Sequence, residues 1–350
     1  MLGSVTTLSM MESGSPKLEA YLSDLLEAKY VKIVSVNNLS YGAIQQNWAV
    51  EIQVSTTQET DRRELILRMD APTSIDTSHS RRQEFDLLTC AFHQGCLVPQ
   101  PLAYCADPVM TGKPFFVMPR LPGTADARLL TKIPFAAEQQ KVIVQSLGRE
   151  LAKIHNIDPS PEISEFLPKP KVPPVDHMIA TYRAYLDQLP KASPVIELGL
   201  RWAECNQPVE QEYTICHRDF RTGNILIDNG KITGILDWEF AGWSDPMEDI
   251  GWFCAKCWRF SNPQLEAGGL GNRLDFIAAY EAHTERKVRH ASVLFWEIIA
   301  HIRWAIIAKQ QGERFATDRE QSLEAALTSY IAPELELEVL KIIEPWEATC

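Results

Sequence analysis

The chain is short of positive charge. Its 350 residues carry 34 Lys and Arg against 46 Asp and Glu, a formal net charge of −12. A nucleic-acid binder needs a basic face to neutralise phosphates, and docking on an anionic membrane needs a polybasic segment. The composition points to neither partner, although a local basic pocket stays compatible with it. Patterned cysteine is also lacking. Cys90, Cys96, Cys105, Cys205, Cys216, Cys254, Cys257 and Cys350 sit in or beside apolar runs with no repeated spacing. Only Cys254 and Cys257 form a C-x-x-C, and a zinc site would want a second such pair or nearby histidines. They read as core thiols in a buried helix, and a reducing cytoplasm is the expected compartment. The N-terminal stretch MLGSVTTLSMMESGS has no basic patch leading into a long apolar core, so no signal peptide is read there. The most apolar late segment, 293–308, is interrupted by Glu297, His301 and Arg303. It reads as a buried amphipathic helix and not a membrane span. Internal repeats and low-complexity tracts are absent.

What is present is a change of pattern part-way along. Helical spacing over 17–30 gives way to β-rich or alternating runs at 31–39, 48–54, 64–69, 102–105 and 115–120, with a helix at 81–93. Residues 1–120 therefore predict a β-rich lobe: one helix, then a five-stranded, mostly antiparallel sheet carrying another. Pro122-Gly123 breaks the chain. Over 121–350 helices are expected at 136–156, 176–189, 195–205, 246–259, 273–284, 290–311, 319–330 and 334–344. Short strands are expected at 213–216, 224–227 and 231–236, and 158–174 reads as a surface loop. A β-rich lobe, a connector and a helical lobe make an α+β chain with an expected ligand cleft between its halves.

The segment Ile215–Trp252, ICHRDFRTGNILIDNGKITGILDWEFAGWSDPMEDIGW, carries the chemistry. Phosphoryl transfer asks little of a protein: one residue to orient the attacking hydroxyl and accept its proton, oxygen ligands for a divalent ion, and donors that keep the phosphates in line. His217-Arg218-Asp219 is followed five residues later by Asn224 and a strand-like ILI, and a second strand, ITGIL, delivers Asp237. H-R-D-x-x-x-x-N and then L-D resembles the catalytic and metal-binding segment of the kinase superfamily. DWEFAGWSDPMEDIGW, with Trp238-Glu239 where Phe-Gly is usual, resembles the aminoglycoside phosphotransferase family, the choline-kinase-like phosphotransferases. This resemblance spans residues 20–340 and is carried most specifically by 215–252. It implies a two-lobed protein-kinase-like fold, with an N-terminal antiparallel five-stranded sheet lobe and a larger, mainly helical C-terminal lobe. It also implies ATP or GTP as donor, Mg2+ as cofactor, Asp219 as catalytic base, and Asn224 and Asp237 as metal ligands. His217 and Arg218 would support the loop, and Asp249 would be structural, bonding loop backbone near His217.

The upstream residues can be read independently. A kinase-like fold needs a cation on its third strand and a carboxylate on the next helix. In ELILRM, Leu65, Leu67 and Met69 share one face while Arg68 lies on the other. Sixteen residues on comes Glu84, and Arg68–Glu84 is the expected pair, with arginine where lysine is usual. LSYGAIQQNW occupies the place of the phosphate-covering loop and offers Gly42, Gln45 and Asn47 to a nucleotide. FFVMPRLPG resembles a hinge, with Met118 behind adenine, the Pro119 carbonyl accepting and the Leu121 amide donating. His155, in the resembling L-x-x-x-H helix, reads as a structural histidine.

The acceptor is expected to be a small molecule. Asp245-Pro246 follows Asp237 too soon for the peptide platform of a protein kinase. Candidates for its site are Glu239 and, on the 290–311 helix, Trp296, Glu297, His301 and Trp304, with Glu297 and His301 as an i, i+4 pair able to satisfy each other. Most of an aromatic stripe is usually core. The branch resembled is also similar to kinases of hydroxyacyl-CoA thioesters or other metabolites; Arg62, Arg63, Arg81, Arg82, Lys169 and Lys171 could meet CoA phosphates or simply be solvated. Modification of aminoglycosides and a nucleotide-binding pseudokinase are the alternatives. The sequence leaves the oligomeric state open.

Overall fold

The computed structural model describes residues 15–39, 45–70, 78–317 and 323–344; of residues 45, 324 and 325 the backbone alone is described. The chain divides at 121/122 into two compact units, with 94–96 belonging to the second.

The first unit opens with helix α1, Pro16–Leu25, capped by Ser15 with proline at its first position. The helix expected to run to residue 30 stops at Leu25, because Tyr30 already opens strand β1, Tyr30–Asn38. Strands β2 (Gln45–Ser55) and β3 (Thr60–Asp70), helix α2 (Arg81–His93), and strands β4 (Ala103–Cys105) and β5 (Phe115–Pro119) follow. They form one antiparallel sheet in the order β1-β2-β3-β5-β4. The period of two decides what each face buries. Trp48, Val50, Ile52 and Val54 of β2 join Leu65, Leu67 and Met69 of β3, with Phe115 and Val117 of β5, in a core closed by Leu18 and Leu22 of α1. The opposite face carries Asn47, Arg68 and Phe116 in register, and Phe85 of α2 packs on Phe116 at 5.9 Å.

The second unit is mainly helical: α3 (Ala127–Leu130), α4 (Ala137–His155), α5 (Pro161–Phe166), α6 (Pro174–Asp187) and α7 (Pro194–Cys205) come first. The segment expected to be a loop over 158–174 holds α5. Ser160 caps it and Pro161 sits at its first position, a start signal hidden in a proline-rich run. Strand β6 (Thr214–Cys216) pairs with β9 (Gly242–Ser244), a strand not anticipated, and β7 (Ile225–Asp228) makes a hairpin with β8 (Lys231–Ile235). Then come α8 (Pro246–Cys254), α9 (Arg273–Glu281), α10 (His290–Ala316), α11 (Leu323–Thr328) and α12 (Ala332–Ile343). The helix expected over 246–259 ends at Cys254, beyond which Lys256–Trp258 winds as a tighter 3-10 turn. Of the helix expected at 319–330, residues 319–322 lie outside the described residues.

Helix α10 packs against α7, α8 and α12. It is long and apolar enough by composition to cross a membrane, with mean hydropathy 1.5 over its best window. Two-thirds of that window is buried inside the protein, as befits a core helix. Against α8 the approach is close: a Cβ at Gly251 would lie 2.4 Å from Trp296 Cβ.

Candidate active site

In the first unit, Arg68 grips Glu84 in a two-pronged pair, Nε to Oε2 at 3.0 Å and Nη2 to Oε1 at 2.7 Å. The guanidinium also donates from Nη1 to Asn47 Oδ1, 3.3 Å away on the neighbouring strand. Arg81, read above as solvated or meeting CoA phosphates, is instead buried and shares Glu84 Oε2 from the first turn of α2; its Nε lies 2.9 Å from Asp70. Glu84 is thus held between two arginines. Breaking a buried pair usually costs about 3–5 kcal/mol because a charge is orphaned. With Arg81 still on Glu84, Arg68→Ala should fold, with a melting temperature within a few degrees of wild type, and act as a clean probe. If Arg68 is the phosphate cation, nucleotide KM should rise about tenfold or more; wild-type kinetics would remove it from that role. Gly42 lies outside the described residues, and Gln45 is placed by its backbone alone at the start of β2. Met118 is buried opposite Ile66, Pro119 ends β5 opposite Leu65, and Leu121 closes this unit.

In the second unit, the loop after β6 is shaped by bonds from its own side chains. His217 donates from Nε2 to the Leu236 carbonyl at 3.0 Å and accepts the Asp219 amide at Nδ1, 3.3 Å. Those partners fix a neutral ring with its proton on Nε2. Asp249, in α8, accepts the amides of His217 and Arg218, each at 2.7 Å, one on each carboxylate oxygen. It also accepts His155 Nε2 at 3.0 Å, and the Tyr280 hydroxyl meets His155 Nδ1 at 2.8 Å. Burial alone would raise the Asp249 carboxyl; the hydrogen bond from His155, with the bonds to the loop, outweighs it and holds the group below its ordinary range. Burial pulls His155 below its ordinary value despite Asp249. The result is a chain, Tyr280–His155–Asp249–loop amides, that holds Arg218 at φ 61°, a left-handed conformation costly for a side-chain-bearing residue.

Asp219 is the centre of this loop. Its Oδ1 accepts Trp252 Nε1 at 3.0 Å, its Oδ2 accepts Asn224 Nδ2 at 2.6 Å, and Arg221 Nε lies 3.1 and 3.2 Å from the two oxygens. Asn224 also donates to the Asp219 carbonyl at 2.9 Å. Both acceptors demand the amide nitrogen on that side, so Asn224 Oδ1 is left as an oxygen donor. The Leu236 amide donates to the Asn224 carbonyl at 2.8 Å and closes the β7–β8 hairpin. Asp237 follows immediately, at φ 69°. Asp219, Asn224 and Asp237 therefore project from one stitched piece of backbone: the loop bonds the hairpin through His217, and Leu236 bonds both. An amide oxygen and a carboxylate are the hard donors that Mg2+ takes, so this donor set fits that ion.

The acceptor candidates fare differently. Trp296 is 1% exposed and lies in the core against Gly251. Glu297 is buried and bonds Arg273 Nη1 at 2.6 Å; burial pushes its carboxyl up to about 7 against the pull of Arg273 and Arg259. His301 is fully buried, and its Nδ1 bonds the Glu297 main-chain carbonyl at 2.6 Å; burial pulls its ring down to about 4. The expected carboxylate–imidazole pair is not formed, because Arg273, on a different helix, takes the carboxylate. Glu239 is buried directly after Trp238. Trp304 is half-buried and packs at a tilt against Trp258, ring centroids 5.2 Å apart, and Trp258 in turn lies 5.0 Å from Trp252. Residues missed from the sequence lie around Asp219 itself: Trp252, Arg221 and Arg303. Arg303 covers the Trp252 ring at 4.4 Å and donates to the Arg218 carbonyl and to Glu248.

A β-sheet unit with an Arg–Glu pair, followed by a helical unit with an Asp–Asn–Asp hairpin, defines the class of kinase-like phosphotransferases. Residues 36–286 match the model of the phosphotransferase enzyme family APH. The chain belongs to that family. A solved structure from Ralstonia eutropha, provisionally named an aminoglycoside phosphotransferase, superposes with TM-score 0.71 at 18% identity over 94% of this chain and 97% of that one. The aminoglycoside phosphotransferase APH(4)-Ia, in a ternary complex with AMP-PNP and hygromycin B, gives TM-score 0.58 at 16% identity over 91% and 97%. Mouse acyl-CoA dehydrogenase family member 10 is 22% identical over 244 residues, 68% of this chain but 22% of that protein. The chain spans about a quarter of the length of such curated relatives.

Proposed function

We propose that this phosphotransferase moves the γ-phosphate of ATP or GTP to a hydroxyl of an anionic small molecule, of the hydroxyacyl-CoA kind. The observation that carries it is the direct contact of Asp219 with Asn224 on backbone bonded to the residue before Asp237. Asp219 orients the acceptor hydroxyl and takes its proton as the oxygen attacks. Asn224 Oδ1 and the Asp237 carboxylate would hold Mg2+, which when bound neutralises charge developing on the transferring group. Arg68, fixed by Glu84, holds the phosphates as a permanent cation. The backbone of the hinge, at Pro119 and Leu121 beside Met118, receives the base.

The charge of the second unit supports an anionic acceptor. Arg218, Arg221 and Arg303 cluster around Asp219, and Glu248 beside them is committed, pairing with both Arg218 and Arg303. A polycationic aminoglycoside would want free carboxylates there. The acyl-CoA name of the matched relatives agrees with the same reading.

The test is nucleotide turnover with Mg2+ and a panel of hydroxyacyl-CoA thioesters, free hydroxy acids, aminoglycosides and choline. A hydroxyacyl-CoA should speed ADP release about a hundredfold over the acceptor-free rate, and Asp237→Ala should weaken Mg2+-dependent nucleotide affinity about tenfold. Stimulation by aminoglycosides alone would replace this acceptor class. Nucleotide binding with no acceptor stimulation would favour a regulatory module.

A further inference from the structure

Asp219 is more fully engaged than a free base should be. An ionised carboxylate has about four lone-pair sites. Trp252 takes one on Oδ1 and Asn224 one on Oδ2, and the Arg221 Nε–H straddles both oxygens. Trp252 and Asn224 come from packed or hydrogen-bonded backbone and both are buried. An incoming hydroxyl can displace neither without breaking the loop, so among the described residues the only donor that can yield is Arg221.

The seat of Arg221 is built. Its guanidinium lies over the Trp258 ring, 5.0 Å from the centroid, where a cation is attracted by the ring face. It folds back over Gly223, where a Cβ would meet Nη1 at 2.3 Å. The side chain keeps 28% of its surface exposed, and among the described residues Nη1 and Nη2 make no hydrogen bond to protein. The group is therefore anchored to the base through Nε and to the tryptophan through its face, while its terminal donors stay available to an anionic oxygen.

We propose that Arg221 is a specificity-determining residue that makes Asp219 serve an alcohol and not water. It caps the carboxylate until an acceptor bearing an anionic group takes the terminal nitrogens and draws the guanidinium aside. In productive transfer, the acceptor O–Pγ bond forms and the bridging O–Pγ bond to the β-phosphate breaks. The acceptor's proton passes to Asp219, and ADP leaves with the electron pair of the broken bond. With water in the acceptor's place the same balance yields ADP and inorganic phosphate, the wasteful reaction that the cap suppresses. The proposal rests on the reading of Asp219 as the base.

The experiment needs only ATP, Mg2+ and the full chain without acceptor. Arg221→Met should raise Asp219-dependent release of inorganic phosphate on the order of tenfold, the scale of one charge-assisted hydrogen bond. Adding Asp219→Asn to it should return the rate to background. Gly223→Ala moves the guanidinium end without removing its charge and should raise the same rate; it decides the matter if Arg221→Met fails to fold. Hydrolysis at or below the wild-type rate in the folded variants, with Asp219→Asn still abolishing turnover, overturns the cap and leaves the base in place. An increase that survives Asp219→Asn also overturns it. Wild-type hydrolysis unaffected by Asp219→Asn removes the base itself, and the cap with it.

Discussion

Asp219→Asn should stop phosphoryl transfer and leave nucleotide bound. The substitution keeps the shape of the side chain and one oxygen acceptor. What it loses is the charge that, in the proposed role, orients a hydroxyl and receives its proton, an effect on the order of 10²–10⁴ in kcat. It also brings an amide NH2 into a ring of donors: Trp252 Nε1 on one side and Asn224 Nδ2 on the other. One of the two must face that NH2, so the loop gives up a hydrogen bond whichever way the new amide turns. The effect should fall on kcat, because Arg68 and Glu84, which are read as holding the phosphates, are untouched by the change. Steady-state kinetics beside a nucleotide thermal-shift titration separate the two quantities. A kcat within about tenfold of wild type would remove Asp219 from the role of base.

The parts of this site legible in the sequence are those set by local period and short spacing. The parity of ELILRM put Leu65, Leu67 and Met69 on one face and Arg68 on the other, and the structure shows that division with Glu84 on the next helix as its partner. The five-residue step from Asp219 to Asn224 was visible because one tight 3-10 turn, Thr222–Asn224, is enough to bring the second side chain back onto the first. Arg81 was misread although it lies one helical turn before Glu84, a spacing that by itself favours an ion pair. Burial is a tertiary fact that this spacing does not carry. The acceptor helix failed for the same reason on a larger scale. Trp296, Glu297 and His301 have the spacing of one face, but α7, α8 and α12 surround α10, and the partner of Glu297 comes from α9. Trp252 gave no signal either: it reads as one more aromatic in an apolar helix, and its role depends on the single indole N–H that α8 aims at Asp219.

Asp249→Asn should have the largest effect of any change outside the reacting groups, and on two observables at once. The carboxylate is completely buried and receives three donors: two adjacent loop amides and His155. An asparagine at that position has one oxygen and an NH2, so at least one of those N–H groups must face a donor. Losing the charge from a buried, paired site costs about 3–5 kcal/mol, which for a unit of this size lowers the melting temperature on the order of 10 °C. The sign of the pH dependence follows from the shifts. The Asp249 carboxyl lies below its ordinary range, so its stabilisation is present above the unfolded value and is lost as pH falls through the folded one. His155 is buried neutral with a lowered value, so its contribution also fades on acidification, from about pH 6.5 downward. Wild type should therefore lose stability steadily in acid, and Asp249→Asn should lose less over the lowest part of that range. A role confined to stability would stop there. The two amides belong to His217 and Arg218, the residues immediately before Asp219, so slack in them displaces Asp219. The result expected is a kcat lower by about tenfold to a hundredfold with nucleotide affinity preserved, measured well below the melting temperature. If kcat stays at the wild-type value while the melting temperature falls, Asp249 supports the fold and does not position Asp219.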